Sequence, residues 1–261
     1  MNPAEPEIRI FDDADTLAAG AAKEFTALAR EAIGRSGRFT VSLSGGSTPR
    51  KLYSLLATTG GIEWAKVHFF WGDERHVPPD HPDSNYRVAR EALFTAIRPP
   101  ESNLHRIRAE EADAAVAAQG YESELMCFFR AKAATQDRNG DTYRRPRSGA
   151  EGEAWPRFDL MLLGMGPDGH TASLFPGTTA LDILDRWVTS AWVDKFKSFR
   201  ITLTLPVINH ASCVMFLVSG ADKAAMLKRI VRDREAVPSG RVNPGSGKLI
   251  WMVDRAAAAQ L

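Results

Sequence analysis

Cysteine is scarce: Cys127 and Cys213 are the only two in 261 residues. Both lie in apolar surroundings, LMCFF and SCVMF, so they read as reduced, buried packing residues rather than a disulfide. Neither belongs to a cysteine spacing that binds metal. Charge of one sign is missing too, because 33 Lys and Arg meet 32 Asp and Glu and leave a net +1. That balance carries no nucleic-acid or membrane-surface footprint. An anionic ligand would have to be held by local cations and backbone N–H groups. No apolar run approaches the roughly 20 residues of a membrane span. The stretch MNPAEPEIRIF lacks the basic and apolar regions of a signal peptide. A cytoplasmic protein is expected. There is no internal repeat, no Walker loop and no GxGxxG, so nucleotide binding is not expected.

What is present is ordinary globular composition, 44% hydrophobic and 25% charged. Apolar runs predict strands at 8–11, 39–43, 67–71, 158–163, 187–192, 212–218 and 248–253. Helical spacing predicts helices at 12–33, 49–57, 85–97, 112–133 and 221–232. Strands alternating with helices imply an α/β fold, a mostly parallel sheet with helices on both faces. No linker divides the chain, so a single domain over 1–261 is expected. Residues 135–157 are polar and without apolar periodicity, and read as an exposed insertion.

Four segments carry chemistry. The first follows the run FDLMLL: GMGPDGHTASLFP, whose glycines turn the chain at a strand's C-terminal end and present Asp168 and His170. A histidine there can change protonation state near neutral pH. The second is Ser44, Gly45, Gly46, Ser47 and Thr48, between a strand and a helix that opens on Pro49. Glycines let backbone N–H groups approach an oxyanion, and the helix start adds unpaired donors. The third is Asp73-Glu74-Arg75, where Arg75 can fork onto a phosphate or carboxylate. The fourth is cationic: Lys195, Lys197 and Arg200, with Lys223 opening a later helix. His76 and His81 read as surface residues, and His68, His105 and His210 as packing or surface residues.

Together these segments resemble the 6-phosphogluconolactonase family, within the glucosamine-6-phosphate isomerase/6-phosphogluconolactonase superfamily. SLSGGSTPRKLY, WGDERHVPPDHPDSNY, FDLMLLGMGPDGHTASLFPG, FRITLTLPVIN and VSGADKAAML keep the family's order. The resemblance implies a modified Rossmann-like sheet similar to that of glucosamine-6-phosphate deaminase. It implies hydrolysis of 6-phosphoglucono-1,5-lactone to 6-phosphogluconate in the oxidative pentose phosphate pathway. It implies no cofactor and no catalytic metal. The expected partner is a small sugar phosphate, with no nucleic acid and no membrane, and the expected state is a monomer. His170 is the implied general base, with Asp168 or Asp73 orienting the imidazole or the sugar. Ser44 to Thr48, Arg75, Arg200 and Lys223 are implied to hold phosphate and hydroxyls. Either Lys195 or Lys197 stands where the family carries a lysine, and Lys197 is taken with the binding set. The related deaminases have an Asn-Glu pair before the proline of this loop. Here the pair is Leu174-Phe175, which argues against deaminase chemistry.

Overall fold

The computed structural model describes residues 6–130 and 155–261. Its main sheet contains β1 (Glu7–Phe11), β2 (Phe39–Leu43), β3 (Val67–Trp71), β5 (Leu160–Leu163), β8 (Cys213–Val218) and β9 (Lys248–Asp254). The strand order is β1-β9-β8-β5-β2-β3, and every neighbouring pair is parallel. All residues of β2, β5 and β8 are buried. A strand covered on both faces reads as a near-continuous apolar run, as LMLL and CVMFLV do; β2, FTVSL, also buries Thr40 and Ser42.

Helices fill the crossovers. α1 (Ala14–Ser36) starts at a capping box, where the Asp13 carboxylate accepts from the Thr16 backbone and the Thr16 hydroxyl accepts from the Asp13 N–H. It stops at Gly37, whose φ of 75° ends the helix without side-chain strain. α1 packs on α2 (Ser47–Leu56) and on β1, β2 and β9. The helix expected at 85–97 is continuous but not uniform: α3 (Asn85–Ala89) widens through a π-turn at Arg90–Phe94 before α4 (Thr95–Ile97). α5 (Ala114–Arg130), α6 (Leu205–Ile208) and α7 (Ala224–Val231) complete the set named here. Among the described residues, no helix is long and apolar enough to cross a membrane.

A second, antiparallel sheet was not expected. It contains β4 (Asp73–Arg75), β7 (Ser198–Leu203) and β6 (Val188–Val193), in the order β4-β7-β6. The strand expected at 187–192 therefore pairs here, not in the main sheet. β4 is three polar residues long, and only its partner β7 makes it a strand. Both sheets contribute to one apolar cluster: Leu162 and Phe216 from the main sheet, Val188 and Leu203 from the smaller one.

Two further expectations need correction. Cys213 is buried, but Cys127 is exposed on α5, because its helical position turns it away from the buried Leu125 and Tyr121. Of the polar segment at 135–157, residues through 154 lie outside the described residues. Trp155 packs against the core, and Arg157 bonds Ser212 and Ser246, so the end of that segment is docked.

Candidate active site

Four adjacent strands, β8, β5, β2 and β3, end at one edge of the main sheet. Order reverses there: from β2 the chain moves outward to β3, whereas β5 leads the other way to β8 and β9. Such a switch point leaves a crevice at the carboxyl ends of the strands. A cavity of about 410 Å³ occupies it. Ser44 and Gly45 come from the end of β2, Asp73 follows β3, His170 follows β5, and Lys223 follows β8.

The His170 loop is built around a close pair. His170 Nδ1 lies 2.5 Å from Asp168 Oδ1, and the His170 N–H donates to the same oxygen at 3.2 Å. A carboxylate can only accept, so Nδ1 carries the hydrogen, and in the neutral form of the ring Nε2 has a free lone pair. Burial pushes the Asp168 pKa up. The hydrogen bond and charge of His170, with a hydrogen bond from Lys195 at 3.2 Å, outweigh that and hold it at about 2. Gly166 makes room for the pair: a Cβ there would sit 2.0 Å from His170 Nδ1 and 2.7 Å from Asp168 Oδ1. Phe175 stacks on the His170 ring at 4.2 Å.

The Ser44–Thr48 loop leads into the N-terminus of α2. Gly46 has φ 107°, a conformation open to glycine, and no side chain caps the helix. The first N–H groups of α2 are thus free to face an anion. Two cations border the same cavity, Arg75 and Lys223. Lys223 is paired with Asp222 at 2.8 Å, and the Arg75 guanidinium donates to the Asp83 carbonyl. Arg200 sits opposite Arg75 in the β4–β7 ladder. Burial first, and then the Arg75 charge, push its pKa down. Two guanidinium-bearing residues side by side favour an anion between or beside them.

Asp73 is buried and fully engaged. Its Oδ2 accepts from Ser173 Oγ at 2.6 Å, and its Oδ1 from Asn85 Nδ2 at 3.3 Å. Next to it, Glu74 accepts from the N–H groups of Arg75, Asn85 and Tyr86 and from Ser84 Oγ. Glu74, in β4, therefore caps the N-terminus of α3. Burial raises its pKa to about 6 against those hydrogen bonds.

Of the residues singled out in the sequence, Ser44, Gly45, Gly46, Ser47, Thr48, Asp73, Arg75, His170 and Lys223 border the cavity. Three residues do not border it. Asp168 stands behind His170, Arg200 lies beside Arg75 with its guanidinium 5.1 Å over the Phe196 ring, and Lys197 is paired with Asp194. Lys197 occupies a left-handed turn position and is largely exposed. Of the two lysines it is Lys195 that reaches the His170 loop. Asn85, not among the site residues expected from the sequence, borders the cavity with a buried Oδ1 that has no hydrogen-bond partner. Its signal was the DSNY stretch. Among the described residues, no three His, Cys, Asp or Glu side chains gather as a metal site.

Fold and cavity define an α/β protein with an anion-attracting cleft that also holds a carboxylate-backed imidazole, at the carboxyl edge of a parallel sheet. A family model for glucosamine-6-phosphate isomerases/6-phosphogluconolactonase matches residues 12–251. The 6-phosphogluconolactonase of Nostoc sp. is 43% identical over 88% of this chain and 88% of its own. That of Synechocystis sp. is 40% identical over 98% of both. The structure of 6-phosphogluconolactonase from Trypanosoma cruzi superimposes with a TM-score of 0.82 at 29% identity, covering 100% of this chain and 99% of that one. The chain belongs to the glucosamine-6-phosphate isomerase/6-phosphogluconolactonase family.

Proposed function

We propose that the protein hydrolyses 6-phosphoglucono-1,5-lactone to 6-phosphogluconate, with His170 as the general base. The carrying observation is that one cavity holds His170, backed by Asp168, beside the open N-terminus of α2, Arg75 and Lys223. The names of the relatives support the substrate. The phosphate dianion is held by the α2 N–H groups and those cations. Asp168 orients the imidazole so that Nε2 can take a proton from water. That water adds to the lactone carbonyl, forming a C–O bond and a tetrahedral oxyanion. The bond to the ring oxygen then breaks, and His170 returns its proton to that oxygen. The product is the hydroxy acid, which ionises. Phe175 against His170 puts an apolar ring where the deaminase pattern has a glutamate, and so favours the lactonase reading.

The test is a coupled assay. Glucose 6-phosphate dehydrogenase generates the lactone, and excess 6-phosphogluconate dehydrogenase reports the acid as NADPH. Acceleration over spontaneous opening should scale with protein. His170→Ala should lose about 10²–10⁴-fold in rate and keep its circular dichroism. A folded wild-type protein that gives no acceleration, or that releases ammonia from glucosamine 6-phosphate, would overturn the reading.

A further inference from the structure

The His170 loop holds one residue in a conformation that it does not prefer. Gly169 has φ 77°, and Ala172, which is not glycine, has φ 47°. A left-handed alanine persists only where its surroundings hold it. Within the loop, Gly166 N–H donates to His170 O, Thr171 Oγ1 to Gly164 O, and Leu174 N–H to Thr171 O. Those bonds shape the loop but do not place it in the molecule.

Two buried serines place it. On one side of His170, the Gly169 carbonyl accepts from both the N–H of Ser239 at 2.9 Å and its hydroxyl at 2.8 Å. On the other side, Ser173 Oγ donates to Asp73 Oδ2 at 2.6 Å, and its N–H donates to Thr202 Oγ1 at 3.3 Å. Asp73 and Thr202 face each other across the β4–β7 ladder. Ser239 is 0% exposed and Ser173 1%, so water cannot replace either bond. Asp73 also receives Asn85, which lies against Gly45 of the anion loop.

We propose that Ser173 and Ser239 are positioning residues for the proposed reaction, clamping the His170 loop from both sides. Ser173 acts through Asp73 and so sets His170 relative to the anion loop; Asp73 is a structural hub of the site. This rests on the lactonase reading for its kinetic consequence, but not for its geometric one.

The experiment uses Ser173→Ala and Ser239→Ala in the full chain. It reads kcat, KM and the low-field proton resonance of the His170 Nδ1–H, assigned by its loss in His170→Ala. Each variant should keep its circular dichroism, lose about tenfold or more in kcat with KM within about twofold, and shift or lose the resonance. A role in stability alone would lower the melting temperature and leave kcat and the resonance as in wild type; that result overturns the proposal. Should Ser173→Ala fail to fold, Ser239→Ala carries the same expectations alone. If the wild type has no lactonase activity, the functional reading falls, and the resonance still decides the clamp.

Discussion

At the scale of single residues, one carboxylate–imidazole pair sets what this cavity can do. Asp168 is held at about 2, so it stays ionised throughout the neutral range and keeps the Nδ1 hydrogen on His170. Asp168→Asn would present an amide that can donate as well as accept, and would let the other tautomer form. We expect kcat to fall by about 10²-fold or more with KM little changed, measured at saturating substrate. Gly166 is the spatial counterpart of that pair. In Gly166→Ala the added methyl meets His170 Nδ1 at 2.0 Å, so the ring must move. A displacement of that size should cost on the order of 10²-fold in kcat, while the melting curve changes little. Wild-type turnover by this variant would show that ring placement does not limit the reaction. In the proposed reaction Arg75 and Lys223 hold the phosphate, which is charged before and after hydrolysis. Arg75→Ala should raise KM about tenfold or more and lower kcat less, because it removes binding shared by ground and transition states. A fall in kcat alone would move Arg75 to the carbonyl.

At the scale of elements, burial decides what could be read in the chain. The strands expected at 39–43 and 67–71 coincide with β2 and β3, because buried strands are mostly apolar and end at a glycine or a polar turn. The loop before α2 was legible as a strand end, two glycines and a proline-opened helix. β4 and β7 were not. Asp73-Glu74-Arg75 has no apolar pattern, and its strand character comes from hydrogen bonds to residues more than 120 positions away. Arg200 was recognised as a cation, but its place opposite Arg75 depends on that register. Asn85 and Ser173 were hidden likewise, since a buried polar side chain acquires its role from a partner distant in sequence. The elements also predict where stability lies. Leu162 is fully buried in β5 and central to the main sheet. Leu162→Ala should destabilise by about 2–5 kcal/mol in denaturant melts; a loss below 1 kcal/mol would mean the core collapses around the gap.

At the scale of the whole molecule, a second histidine cluster ties stability to pH, away from the cavity. His105 Nδ1 bonds Glu124 at 2.9 Å, and its Nε2 meets His68 Nδ1 at 3.2 Å. Burial first, then the His105 and Arg38 charges, push the His68 pKa down to about 4. An unfolded histidine takes up its proton near pH 6.5. Between those values the unfolded chain holds a proton that folded His68 refuses, so stability drops as pH falls from about 6.5 to about 4. For a half-buried ring the contribution is on the order of 1 kcal/mol. His68→Gln should flatten the decline between pH 6.5 and 4.5 in urea melts, and an unchanged decline would remove His68 as its source.

The sequence by itself determined the class of fold, the order of its main strands and helices along the chain, and most of the segments that come to border the cavity. These depend on local pattern: apolar runs for buried strands, glycines for tight loops, a histidine and a carboxylate two residues apart. Only the tertiary structure decided that four strand ends share one cavity, that Lys195 and not Lys197 reaches Asp168, and that Asp73 is bound by Ser173 and Asn85. The reason is physical. Side-chain hydrogen bonds and ion pairs extend only about 3–4 Å, and which groups come within that reach depends on how distant segments pack. No local pattern encodes that distance.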